Sequence, residues 1–288
     1  MNIGQRYCVI ALGALLSSAV VARPATIKGS FERGLKVSGP VDIDVSTGSG
    51  DIRVYPGEPG TVRVRGKINA HDNSGDSNAA QRVRDLEQNP PVQQDGNHIR
   101  IGNLEDRELT RNVSIDYELE VPVETELRST TGSGDVAVEG IRGPVSARSG
   151  SGDMKLRSVS GDVSLKTGSG DARLEEISGG HVEVETGSGD VELRDLRCPM
   201  HVRTGRGEIH AEGELAGDWT LHAGSGEINV RLPSETGFEL DAHTSSGEIH
   251  TSLPVTAGSI GRGKLRGKVN GGGARLELST GSGDISIN

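Results

Sequence analysis

Apolar and polar residues alternate with a period of two along most of the chain, in short runs broken by glycine-rich corners. Val182, Val184 and Thr186 alternate with Glu183 and Glu185; Val191 and Leu193 then alternate with Glu192 and Arg194. The same phase returns at Val163, Leu165, Thr167 and at Met200, Val202, Thr204. A two-residue period describes a strand with one buried and one solvated face. Each pair of runs meets at a TGSGD-like element. It stands at Thr47–Asp51, Thr131–Asp135, Thr167–Asp171, Thr186–Asp190 and Thr280–Asp284, with variants ending at Asp153, Glu208, Glu227 and Glu248. From Asp135 to Glu248 the acids follow at intervals of 18 to 21 residues, and Asp284 comes 36 later.

A unit of strand, GSG corner, strand and second turn buries too little to stand alone. Copies stacked in parallel at about 4.8 Å pair every backbone group and close a continuous interior. The predicted fold is therefore all-β, a parallel β-solenoid (β-roll or β-helix) with turns of about 18 residues. Gly132 and Gly134, Gly150 and Gly152, Gly168 and Gly170, and Gly187 and Gly189 are the structural corner residues, assigned to tight turns with positive φ. The inward Thr or Ser that opens each corner reads as a hydroxyl ladder bonded to corner backbone.

Residues 126–288 carry the regular repeats. Residues 26–125 read as an irregular, β-rich N-terminal cap continuous with them in one domain, with strands at Thr61–Ile68, His98–Ile101 and Val113–Val121. One short helix is expected at Ala79–Gln88, with Asn78 and Gln81 as a capping pair and Pro90-Pro91 as the stop. Residues 252–275 read as a degenerate repeat, an exposed and loosely ordered turn. Its basic residues Arg262, Lys264, Arg266 and Lys268 leave an anionic ligand as the alternative. Strand Ile285–Ile287 reads as an uncapped edge, able to pair with a second copy in a homodimer.

Composition narrows the picture. Aromatics are 2% and glycines number 43, so the interior must be long and thin, filled by aliphatic side chains. Residues 1–25 read as a secretory signal peptide: Arg6 gives the charge, Tyr7–Val21 the apolar run and Val20-Val21-Ala22 the cleavage site. Export to the periplasm, the cell surface or beyond follows, with no membrane span left after cleavage. Cys8 goes with the leader and Cys198 remains alone, which excludes an intrachain disulfide. The balance of 31 Lys and Arg against 41 Asp and Glu argues against nucleic acid as a partner.

The stacked acids pose the main chemical question, because unit charges about 4.8 Å apart repel by just under 1 kcal/mol even in water. Either each carboxylate accepts turn N–H groups, or Asp135, Asp153, Asp171 and Asp190 form a Ca²⁺ ladder. The Ca²⁺-binding GGxGxD roll places a residue between its last glycine and its aspartate, and here the acid follows glycine directly. No other cofactor is indicated. Six of the eight histidines fall between 181 and 250, and the period places His222 above His243 and His210 two rungs from His250. Solvated surface residues and a shared transition metal are both open readings there. No GxSxG, HExxH or phosphate-loop signature occurs, and the acids are spread along an axis instead of paired in a cleft.

The ELEVP strand (Glu118–Pro122), the successive SGD rungs and the final GGG (271–273) and LELSTGSGDISI (276–287) segments resemble a bacterial, adhesin-like family of exported β-strand-repeat proteins, a domain of unknown function. The resemblance covers about residues 40–288. It implies a place in the cell envelope and carries over no catalytic residue. The expected function is a non-catalytic scaffold or adhesion module. The alternatives are an envelope protein that binds glycan or Ca²⁺ on its repeat face and, third, a polysaccharide-acting enzyme. A glycan or an envelope protein is the expected partner.

Overall fold

The computed structural model describes residues 26–71, 78–102 and 112–288. The signal peptide expected at 1–25 lies outside them.

The chain begins with β1 (Thr26–Lys36), β2 (Val41–Ser49), β3 (Ile52–Pro56) and β4 (Thr61–His71). Helix α1 (Ala79–Gln88), β5 (Val92–Asp95), β6 (His98–Ile101) and β7 (Val113–Val121) follow. Paired strands then repeat: β8 and β9 (Thr125–Ser133, Val136–Glu139), β10 and β11 (Val145–Ser151, Met154–Arg157), β12 and β13 (Val163–Ser169, Ala172–Glu175). They continue with β14 and β15 (Val182–Ser188, Val191–Leu196), β16 and β17 (Met200–Arg206, Ile209–Gly213), β18 and β19 (Trp219–Ser225, Ile228–Arg231). Next come β20 and β21 (Phe238–Ser246, Ile249–Thr251), the hairpin β22 and β23 (Val255–Gly261, Lys264–Val269), and the last pair β24 and β25 (Ala274–Ser282, Ile285–Ile287).

These strands form one 12-stranded and one 13-stranded sheet, the two long walls of a β-solenoid, as the period predicts. In the 13-stranded sheet rungs pair in parallel without slippage, so that Val145, Val163, Val182, Met200 and Trp219 follow one another in a single inward column; in the other sheet the register shifts once, between Leu193 and Leu196 of β15. Position by position, the alternation becomes alternate burial, as in β12, where Val163, Leu165 and Thr167 are buried and Ser164 and Lys166 are not. A short third wall escaped the sequence reading. Ile141, Val159 and Ile177 in the second turns are fully buried, and Ser160 and Ser178 donate N–H bonds to the carbonyls of Ile141 and Val159. Single apolar residues in a turn show no two-residue alternation; their recurrence every 18 residues, at 141, 159 and 177, was the signal that could have found them.

Two departures from the expected order concern the ends. The first TGSGD copy is a true rung: β2 and β3 stack on β8 and β9, and residues 57–121 are an insertion between consecutive rungs. The boundary of the stack therefore lies at Val41, and the cap consists of that insertion together with β1, which precedes the stack: β7, β4 and β1 extend one sheet, and β6 and β5 the other. Helix α1 has the predicted bounds and lays Ala79, Val83 and Leu86 against β1 and β4. The predicted capping pair does not form; Gln81 Nε2 donates to Asp85 Oδ1 at 2.7 Å.

The C-terminal rung is out of sequence order. β24 lies between β18 and β20, and β25 between β19 and β21. Ile285–Ile287 is thus an interior strand with both edges occupied, and the homodimer expected through it has no free edge to use. The segment after β21 is also more ordered than expected. β23 runs antiparallel to β20 and β22 to β23, closing the 13-stranded sheet, and Arg266 and Lys268 bond Asp241 (2.9 Å) and Glu239 (3.1 Å).

Because β20 and β21 reach the rest of the stack only through β24 and β25, truncation after Gly273 should release residues 233–273 while the rungs up to β19 persist. Limited proteolysis read by mass spectrometry should then cut within 233–273 in the truncated protein and spare it in the full chain. Equal resistance in both would mean that β20 can close directly on β18.

Candidate functional site

The GSG corners stack along one side of the solenoid and hold the motif residues in three parallel ladders. The first is made of hydroxyls. Thr131, Ser149, Thr167, Thr186 and Thr204 donate to the carbonyls of Gly50, Gly134, Gly152, Gly170 and Gly189 on the preceding rung at 3.1 to 3.3 Å. Thr280 and Thr244 continue it at 2.9 Å, and Ala223 interrupts it.

The second ladder is backbone. The two glycines of each GSG corner serve different purposes, which corrects the assignment of both to positive φ; at the 244–248 corner Ser245 replaces the first of them. Gly152 has φ +154°, and a Cβ there would also stand 2.0 Å from Gly134 O. Gly150 has no such φ; a Cβ on it would meet Gly132 O at 2.5 Å. Gly132, Gly168 and Gly187 repeat the Gly150 contact at 2.4 to 2.6 Å, and Gly134, Gly170 and Gly189 share the conformation and contact of Gly152.

The third ladder is the acid column. Asp51 Oδ1 accepts the N–H of Asp135 at 3.1 Å, Asp135 that of Asp153 at 2.9 Å, Asp153 that of Asp171 at 2.9 Å, Asp171 that of Asp190 at 3.0 Å and Asp190 that of Glu208 at 2.8 Å. At the far end Asp284 accepts the N–H of Glu248 at 2.8 Å. Each aspartate therefore spends one oxygen on the next rung, and charge-assisted bonds of this kind offset the repulsion along the column. The series skips the glutamates at 208 and 227, whose extra methylene carries the carboxylate past the neighbouring amide. Glu208 and Glu248 pair instead with His210 Nε2 (2.9 Å) and His250 Nε2 (3.4 Å), and Asp51 and Asp171 also meet Arg53 (2.7 Å) and Arg173 (3.2 Å).

Three further acid positions escaped the motif; one of them, Asp218 at a second turn, accepts the N–H of Arg275 (2.8 Å). Asp116 on β7 accepts the N–H of Asp51 (3.1 Å), so the insertion caps the column with the same chemistry. Asp162, in an SGD triplet at a second turn, accepts the N–H of His181 (2.9 Å). The triplet was a usable signal for Asp162; Asp116 sits in a plain alternating strand with none.

The outer faces are patterned rungwise. On the 12-stranded sheet Glu139, Arg157, Glu175 and Arg194 alternate in sign along one row. On the other sheet Arg148, Lys166, Glu185, Arg203 and His222 form a row beside an open groove floored by Gly168, Gly187, Gly205 and Gly224. Lys166 bonds Glu185 at 3.1 Å, and neither Arg148 nor Arg203 makes an ion pair among the described residues. Desolvation, with Arg203 and His201 adding to it, pushes the His222 imidazole below its ordinary value. The inserted rung also changes the histidine register: Ser279 separates His222 from His243, and Asn229 and Ser286 separate His210 from His250. Among the described residues no three His, Cys, Asp or Glu side chains converge as metal ligands. Cys198 is buried, burial pushes its thiol up to about 11, and its carbonyl accepts the Trp219 Nε1 bond at 3.0 Å. It is a core residue.

A stack of nine parallel rungs, hydrogen-bonded through its corners and extended at both ends by antiparallel strands, defines a β-solenoid of repeat type. Residues 42–288 match the Toastrack DUF4097 family, and the chain belongs to it. The structure is similar to that of a "putative adhesin" from Bacteroides fragilis NCTC 9343, with a TM-score of 0.52 and 13% identity over 90% of this chain and 97% of that one. A "putative cell adhesion protein" from Clostridium sporogenes ATCC 15579 aligns at 13% identity over 90% of this chain and 99% of the other, at a TM-score of 0.29. No curated protein matches the sequence.

Two substitutions test the ladders by thermal unfolding. Gly150→Ala drives a methyl into the Gly132 carbonyl and should cost about 2 to 3 kcal/mol. Gly48→Ala, at the same corner position of the outermost rung with nothing within 4 Å of its Cβ, should be near neutral. At the acid column, Asp153→Asn keeps an acceptor for the Asp171 amide and relieves repulsion, so its midpoint should match or exceed that of the parent. Asp153→Ala leaves the amide without its partner and should cost about 1 kcal/mol.

Proposed function

We propose that the chain is an exported, non-catalytic β-solenoid that acts as a rigid scaffold or adhesion module of the cell envelope, in the periplasm or at the cell surface. The observation that carries this reading is how the motif acids are used. The repeated residues with the most chemistry to offer, Asp51, Asp135, Asp153, Asp171 and Asp190, each give an oxygen to a backbone N–H of the neighbouring rung. They hold the stack together and gather at no cleft. Export rests on the leader-like residues 1–25, and adhesion draws support from the name of the Bacteroides protein of similar fold.

A second reading has its own observation. The groove beside Arg148, Lys166, Arg203 and His222 runs across five rungs, and its two arginines lack acidic partners among the described residues. Guanidinium forks, hydroxyls and bare glycine backbone together suit the carboxylates and hydroxyls of a glycan laid along the axis.

Melting of the protein in EDTA, in millimolar Ca²⁺, in Zn²⁺ and with envelope polysaccharides separates these readings, because a ligand at a hundred times its Kd stabilises by about 2.7 kcal/mol. The scaffold reading expects no shift with either ion. A rise with Ca²⁺ that Asp153→Asn combined with Asp171→Asn abolishes would overturn it in favour of a metal ladder. A rise with polysaccharide lost in Arg203→Ala would make the groove a glycan site. Polysaccharide hydrolysis that disappears when a single rung acid is changed would establish an enzyme.

A further inference from the structure

The two sheets end in four edges, and the edges differ in how they are guarded. β1 carries Lys28, Glu32, Arg33 and Lys36. β21 is three residues long, and β5 is four residues of mostly polar sequence ending in Asp95. Charge and brevity are the devices that keep exposed strands from pairing with other chains. β22, the last strand of the 13-stranded sheet, has neither. Its seven residues, Val-Thr-Ala-Gly-Ser-Ile-Gly, include no charge and no proline, and its outer backbone groups pair with no other described strand. It also carries Ile260, which is 75% exposed and is the one exposed large hydrophobic side chain among the described residues. The bulge between Ala257 and Ser259 bends this strand without adding a charge to it.

We propose that β22 is an interface whose occupant is β22 of a second copy of this chain, the two strands pairing antiparallel about a two-fold axis so that one sheet runs on into the other. A second copy fits because a two-fold sets the uncharged run against itself, the same patch serving both partners. In that arrangement each Ile260 is covered by the opposite half of the partner strand, around its Val255 and Thr256. Of the basic residues behind, Arg266 and Lys268 are paired with Asp241 and Glu239, and Arg262 and Lys264 lie at the hairpin tip, which the two-fold places at opposite ends of the joined strands. This interface uses a different edge from the C-terminal strand, and it goes beyond the scaffold reading by giving the scaffold a joint.

Light scattering across a concentration series, with amide hydrogen exchange over residues 255–261 of the full chain, tests the proposal. The expected result is a dimer that grows with concentration while the β22 amides become protected in step. Ile260→Lys should leave the melting midpoint of the monomer unchanged and weaken the dimer by about tenfold or more; Ser259→Lys should do the same. A monomer at every concentration overturns the proposal. So does a dimer that survives both variants with 255–261 still exchanging freely, because the contact then lies elsewhere. Protection of β22 that appears only with anionic lipid vesicles would assign the strand to a membrane surface and overturn it as well.

Discussion

At the GSG corners the backbone of one rung lies so close over the next that a methyl on Gly150 would stand 2.5 Å from Gly132 O, and one on Gly152 2.0 Å from Gly134 O. That approach is the constraint on which the rest depends. Parallel strands fix the spacing at about 4.8 Å, and a corner keeps that spacing most easily when nothing projects between its turns; Ser245, in the rung beyond the 280–284 corner, is the one departure. Once the corner is bare, each hydroxyl and each aspartate reaches backbone on the adjacent rung, and the strands on either side are held in register over the whole stack. The register in turn lines up the apolar columns, so the thin interior is filled by Val, Leu and Ile with a single tryptophan, Trp219, fully buried among them.

The acid column shows how one side chain can carry a cost and its remedy. A row of carboxylates at rung spacing is repulsive, yet the aspartate at that position is short enough to accept the next rung's N–H, and this bond is lost if the acid is removed. Where glutamate takes the place at 208 and 227, the bond to the next amide is missing; Glu208 and Glu248 lie instead beside His210 and His250. The two joints of the 227 rung therefore lack the aspartate bond; the one to the 284 rung keeps its hydroxyl from Thr280, and the one to the 208 rung, where Ala223 stands, rests on backbone pairing. Charge at the surface is balanced in the same rungwise way, each sign placed above its opposite in Glu139, Arg157, Glu175 and Arg194.

Much of this was legible in the chain because a solenoid repeats its reasons. The columns, the bounds of α1 and the strands at His98–Ile101 and Val113–Val121 all follow from alternation and punctuation alone. What the sequence could not convey is which copy sits next to which. The rung 274–287 has the same inward pattern as every other, so it fits equally well anywhere in the stack. The only traces of its insertion were the interval of 36 residues and the antiparallel-length run between Val255 and Val269. The hydroxyl ladder was readable for the same reason as the columns, whereas Asp116 reaches the acid column from a strand with no motif. The two roles of the corner glycines were merged at the level of sequence, because φ and contact distance leave the same letter.

The inserted rung also changes how the end of the stack must form. β20 and β21 are made before β24 and β25, yet the space between them and β18 and β19 is filled by the later pair. The 238–251 rung, with its hairpin, must therefore stand off from the stack, or leave it again, until the final 15 residues pair on both sides. Contacts so distant in sequence are closed late, since their loop entropy is paid before pairing returns it. The consequence is a molecule in which residues 274–287 lock the last third of one wall, and whose outermost strand belongs to a hairpin that β24 and β25 leave uncovered.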